Sequence, residues 1–275
     1  MGNLATRRVP RAAGVIDAVL NRLRRPEVSG FADDDPALAP VHARIIRTDP
    51  ALHRLYALHY VMLRRALSGI PAGPVVELGS GGGFLKDVMP GVVTSDVVPL
   101  SGVDQVIASA ALPFEPASVA GLVLLNVFHH VPDPAAFLRE ADRVLVPGGR
   151  VAMIEPAHTM LWSRLYRACS PEPYDASSGW GFPASGRLTG ANVPQAWIVF
   201  RRDRDRYARE FPRLPVKSTS RHTCLGLLAA GGLRYRGPLP GALAPLLPVL
   251  EAACTPLRPF AASQMTVVLE KSYDG

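Results

Sequence analysis

The chain has 275 residues, 48% of them hydrophobic, and a formal charge of +7 from 30 Lys+Arg against 23 Asp+Glu. That length and apolar content suit one α/β domain with appended helices. Three widely spaced cysteines, Cys169, Cys224 and Cys254, exclude a disulfide framework or cysteine metal cluster, so no metal and a reducing cytoplasm are expected.

No stretch reaches the roughly 18 uninterrupted apolar residues of a membrane span, so a soluble chain is predicted. Met1 to Thr6 formally fits a myristoylation pattern, but one short enough to recur by chance. The basic runs Arg7 to Arg11, Arg22 to Arg25 and Arg201 to Arg209 read as solvated helix faces; weak contact with an anionic membrane surface or an acidic substrate is the other reading. Residues 1–40 are expected to form an arm with one short helix. Asp49 and Pro50 then start a helix whose leucines recur at helical spacing until Gly69 and Pro71 stop it. On it, His53, Tyr56, His59 and Tyr60 are either packing residues or the lining of a lid; Tyr60 is carried as a substrate candidate.

Val75, Val76 and Leu78 form a short buried strand with Glu77 near its end, followed by Gly79, Gly81 and Gly83 in the pattern GxGxG. Such a turn lets a ligand approach the backbone. A second apolar run ends at Asp96, close to the spacing of about 20 residues at which a second-strand acid reaches a ribose in doubly wound sheets. No GK[ST] follows, which excludes a phosphate loop, and the absence of GxxG argues against a dehydrogenase. Between Asp96 and Val106 there is no room for a crossover helix, so the third strand is expected to be degenerate. Leu112, Pro113 and Phe114 follow. Gly121 to Leu125 reads as a central strand delivering Asn126, with Phe128, His129 and His130 after it. Asp133 and Pro134 start a helix, and Arg150 to Ile154 is a strand ending at Glu155.

These motifs, ELGSGGG, LPF, HH and RVLVPGG, resemble the class I S-adenosylmethionine-dependent methyltransferases over roughly residues 75–155. The resemblance implies a doubly wound, mostly parallel seven-stranded sheet with a helical cap. It also implies S-adenosylmethionine as cofactor, held by Glu77, Gly79, Gly81, Gly83 and Asp96, with Ser109, Ala110, Leu112, Asn126 and Phe128 alongside. Ala108 stands where the family has an acid for the adenine amino group. For catalysis the candidates are His129 or His130 as a base and Glu155 as an orienting group, each against a structural role.

The implied organisation is an arm and cap helix at 1–70, a cofactor-binding core at 71–156, an inserted substrate cover at 157–223 and completion of the sheet at 224–275. In the cover, Trp162, Asn192 and Gln195 are substrate candidates. A strand is expected at Leu233 to Arg236, a proline-punctuated helical piece at Ala242 to Cys254 and a last strand at Met265 to Glu270. The partner is expected to be a small-molecule acceptor. A nucleic-acid acceptor is disfavoured, because Asn126, Val127, Phe128 and His129 lack the two prolines and aromatic of amino-directed DNA enzymes. A catalytically silent scaffold, suggested by Ala108, is the reading from another class.

Overall fold

The computed structural model describes residues 15–186 and 190–273. The myristoylation-like pattern and the basic run from Arg7 lie outside them. Seven strands form one sheet: β1 (Val75–Leu78), β2 (Val93–Asp96), β3 (Gln105–Val106), β4 (Val119–Leu125), β5 (Leu145–Pro156), β6 (Val216–His222) and β7 (Gln264–Glu270). Their order is β3-β2-β1-β4-β5-β7-β6, and β7 runs antiparallel to both of its neighbours. The expected doubly wound, mostly parallel sheet is therefore present.

Eleven α-helical pieces surround the sheet among the described residues. They are α1 (Val15–Leu23), α2 (Leu38–Thr48), α3 (Pro50–Ala66), α4 (Leu85–Val88), α5 (Pro134–Val144) and α6 (Met160–Cys169), then α7 (Gln195–Trp197), α8 (Arg204–Glu210), α9 (Gly226–Ala230), α10 (Leu247–Ala253) and α11 (Arg258–Ala261). Between α7 and α8 the chain takes a π turn, Ile198–Arg202. No described helix is long and apolar enough to cross a membrane.

Alternation along the strands builds two cores. On β4, Leu122 and Leu124 join Phe137, Leu138 and Ala141 of α5, whereas Val123 joins Ile45 and Ile46 of α2 and Leu52, Leu55 and Leu63 of α3. The start of α3 is pinned as its sequence predicts: Asp49 Oδ1 accepts from the amides of Ala51 and Leu52, while Oδ2 pairs with Arg25 at 2.6 Å. Farther along, His59 is buried rather than lining a lid, 3.1 Å from the hydroxyl of Thr223. His222 lies 2.8 Å from the same hydroxyl and 2.9 Å from that of Thr266, so a polar chain ties α3 to the β6–β7 edge.

The third strand is degenerate, as expected, at two residues with Val106 exposed. Without a crossover helix, Asp104 closes this edge by accepting from the amide and hydroxyl of Thr94. Two readings need correction. Residues 216–222 belong to the sheet as β6, so the inserted stretch ends before them; the sequence KSTSRH is polar because this edge strand is largely exposed. The strand expected at Leu233 to Arg236 is reduced to the isolated bridges Arg24 with Tyr235 and Gly231 with Arg236, because Gly231 at φ +75° turns the chain away from the sheet.

Candidate functional site

The glycine turn leaves the carboxyl end of β1 at Gly79, whose φ is +68° and where a Cβ would come within 2.6 Å of Val127. Gly81 is also left-handed, at φ +52°, with open space where its Cβ would be. Its amide donates to Asp96 Oδ2 at 3.0 Å, so the acid at the end of β2 already faces the turn. Ser80 donates to Glu77 at 2.6 Å. Burial pushes Glu77 up to about 7; the Ser80 bond opposes this and the charge of Asp96 adds to it. A carboxyl held at the edge of ionisation is suited to a cationic ligand.

Behind the turn, the Tyr60 hydroxyl accepts from the amide of Phe84 at 3.3 Å and occupies the space a Cβ on Gly83 would need. Tyr60 is 1% exposed and braces the turn; the structure does not place it on a substrate surface. Ala43 of α2 lies over Gly82, so the cap reaches the turn itself. Of the residues proposed to flank a nucleoside, Leu112 is core, Ser109 half-buried and Ala110 exposed. Glu140 and Arg143 of α5 clamp the backbone of Leu112. Asn126 has φ +55°, and its Oδ1 is buried with no hydrogen-bond partner. An orphaned buried acceptor at the end of β4, the neighbour of β1, together with Glu77, Asp96 and an open glycine turn, fits a ligand bearing an ammonium and a diol.

The second half of the site is built on Glu155, fully buried at the end of β5. Its Oε1 accepts from the amides of Val127 and Phe128, each at 2.7 Å, and its Oε2 from the His129 amide at 3.3 Å. The His129 Nδ1–H donates to Oε2 at 2.6 Å. Glu155 thus fixes the whole turn after β4, in which Phe128 is core and His129 is buried. The Nε2 of His129 lies 3.7 Å from Glu172, and that of His130 lies 3.9 Å from the other oxygen of Glu172. Burial disfavours a charge on His129, but Glu155 and Glu172 outweigh it and push its pKa up to about 10. Burial and the neighbouring His129 push His130 down to about 4.

Glu172 was not foreseen from the sequence. It stands between Pro171 and Pro173 in the stretch after α6, and no spacing connects it to the histidines. The stretch around it is tied down over the same turn: the Asn192 amide donates to the His129 carbonyl at 2.8 Å, the Phe182 amide to Pro132 and the His130 Nδ1–H to the Gly190 carbonyl at 3.1 Å. The three cover candidates sit inside the protein. The Asn192 side chain joins Asp175 to Ser178, Gln195 is fully buried and donates to the Trp180 carbonyl, and Trp162 is buried against Tyr166.

A cavity of about 330 Å³ opens on the β6 side of the sheet, bounded by His158, Trp197, Arg201, Arg221 and Arg258 among others. His158 stacks on Trp197 at 4.1 Å and meets the Tyr174 hydroxyl at 2.6 Å, which connects the cavity wall to the segment carrying Glu172.

Residues 76–153 match a family described as a methyltransferase domain. Two curated relatives, both ubiquinone biosynthesis O-methyltransferases from Xylella fastidiosa strains M23 and Temecula1, are 28% identical over 156 residues, 49% of this chain and 61% of theirs. The match therefore spans less than two thirds of those relatives. Among solved structures, geranyl diphosphate C-methyltransferase from Streptomyces coelicolor A3(2) aligns with 94% of this chain and 99% of its own at 18% identity and a TM-score of 0.46. An S-adenosylmethionine-dependent methyltransferase from Mesorhizobium loti aligns over 77% and 96% at 14% identity and a TM-score of 0.41.

Proposed function

We propose, from the match of residues 76–153 to a methyltransferase-domain family, that this chain binds S-adenosylmethionine and methylates a hydroxyl of a small molecule. The observation that carries this reading is the polar end of the sheet around the glycine turn. There Glu77, Asp96 and the orphaned Asn126 carbonyl surround a turn that is open at Gly81. Asp96 would hold the ribose diol, while Glu77 and Asn126 would take the ammonium end. When bound, the cofactor supplies an activated methyl group on a sulfonium.

The acceptor would enter beneath the stretches 170–186 and 190–195, where His129, His130 and Glu172 present the polar groups of the carboxyl edge. Glu155 acts on the acceptor side indirectly, by holding His129 and the turn. The oxygen acceptor is favoured by the O-methyltransferase relatives. Positioning carries most of the acceleration, since well-oriented pairs reach effective molarities on the order of 10⁵ M whereas a general base contributes about 10²- to 10⁴-fold. A nucleic-acid acceptor has less support, because three of the five arginines of 201–209, Arg202, Arg204 and Arg206, are paired with Asp203, Asp205 and Glu210.

Calorimetric titration with S-adenosylmethionine, S-adenosylhomocysteine and NADH tests the cofactor. Saturable binding of the first two and not the third is expected. Binding of neither would overturn the reading in favour of a scaffold that has kept the fold.

A further inference from the structure

The geometry points to a divalent metal site formed by His129 Nε2, His130 Nε2 and a Glu172 carboxylate oxygen, for a cation of the zinc class. One ligand atom from each residue lies within 4.8 Å of the other two. The Glu172 oxygens are 3.7 and 3.9 Å from the two imidazole nitrogens. Ligand atoms around tetrahedral zinc, bonded at roughly 2.0–2.2 Å, lie somewhat closer together than this, so a small rotation of the half-exposed Glu172 brings the set to bonding range.

The hydrogen bonds behind the histidines supply the independent observation. Metal-bound imidazoles characteristically donate their other N–H to a carboxylate or a backbone carbonyl, which fixes the tautomer and aims the lone pair. Both histidines here are held that way. The His129 Nδ1–H donates to the buried Glu155 at 2.6 Å, and the His130 Nδ1–H donates to the Gly190 carbonyl at 3.1 Å. With Nδ1 so engaged in each ring, Nε2 is the atom turned toward Glu172, and a metal would take the place of the proton that His129 Nε2 carries. Glu155 is itself locked by the amides of Val127 and Phe128, so the carboxylate behind His129 is held rigidly.

Two adjacent histidines in an ordinary turn would diverge. Here the 3-10 turn Phe128–His130 brings the ring centroids to 4.2 Å. Two nitrogens and one oxygen suit zinc or a neighbouring transition metal and suit magnesium or calcium poorly. Three protein ligands leave at least one position open, the arrangement of catalytic rather than structural zinc. A hydroxyl oxygen is the donor that position would take, and for that role alone the inference rests on the acceptor reading above.

The experiment uses the whole protein, stripped with a chelator, and Zn²⁺ alone as the probe, with neither cofactor nor acceptor present. Its outcome is thus independent of whether methyl transfer occurs. Calorimetry is expected to show one Zn²⁺ per chain and no comparable binding of Mg²⁺. Glu172→Gln and His130→Gln, each checked for a native circular dichroism spectrum, are expected to weaken Zn²⁺ binding about 100-fold or more, beyond what loss of a hydrogen-bond partner behind a ligand alone produces. Co²⁺ in the same site should give the intense visible absorption of a low-coordinate N/O set, and both variants should lose it. Absence of stoichiometric Zn²⁺ binding, or binding unchanged in both folded variants, would overturn the site.

Discussion

The two ends of the candidate site are made in different ways. The turn after β1 is local: Glu77, Gly79, Gly81 and Gly83 are neighbours in sequence, and Asp96 arrives one strand later. The acceptor end joins the turn after β4, the end of β5 and a loop beyond α6, and its contacts depend on tertiary folding. The first can be specified by backbone conformation, because left-handed φ values and the absence of Cβ atoms exclude other residues. The second is specified by a buried carboxylate that satisfies four donors at once.

Substitutions should separate the two by kind of effect. The largest is expected for Glu155→Ala. Removing this carboxylate leaves three amides and the His129 imidazole without their acceptor, at a cost of about 3–5 kcal/mol in unfolding free energy by chemical denaturation. A change within about 0.5 kcal/mol would mean that the turn is held by something else. Asp96→Ala should leave a folded protein and weaken S-adenosylmethionine binding by about 10- to 100-fold, the range for loss of hydrogen bonds to a charged group. Unchanged affinity would remove Asp96 from the cofactor site.

The cofactor end should also be sensitive to pH. With Glu77 pushed up to about 7 by burial, its ionised form is the one a cationic ligand prefers, so binding below that pH requires loss of a proton. Affinity should therefore be constant above pH 7 and fall as the pH drops below it, approaching about tenfold per unit. Calorimetry from pH 5.5 to 8 checks this, and Glu77→Gln should flatten the profile. The smallest effect is expected for Tyr60→Phe, which removes one acceptor from the Phe84 amide and should lower stability by about 1 kcal/mol. The acceptor KM should be unchanged; a raised KM would move Tyr60 from the turn to the substrate wall.

The sheet, its degenerate third strand and the polar residues of the glycine turn were legible because each is a matter of spacing along one short stretch. The residues of 157–223 were not. Asn192, Gln195 and Trp162 are polar or aromatic residues in an irregular stretch, and nothing in their neighbours distinguishes a wall residue from one that braces the interior. Val216–His222 misled for the opposite reason: an edge strand with one open face has little apolar pattern. Glu172 could be found only by its contacts.

The pair His59 and His222 carries a further consequence. Burial holds His59 down to about 4 and His222 down to about 3, the latter also through His59 and Arg258. Both stay neutral in the folded chain at a pH where the unfolded chain, with histidines near 6.5, takes up protons. Their contribution to stability is full above pH 6.5 and is withdrawn as the pH falls toward 4. Since these rings sit where α3 meets β6 and β7, acid acts on the seam between the cap and the sheet edge. Mild acidification should thus detach the helical roof from the sheet first, with amide exchange accelerating in α3 before it does in β4.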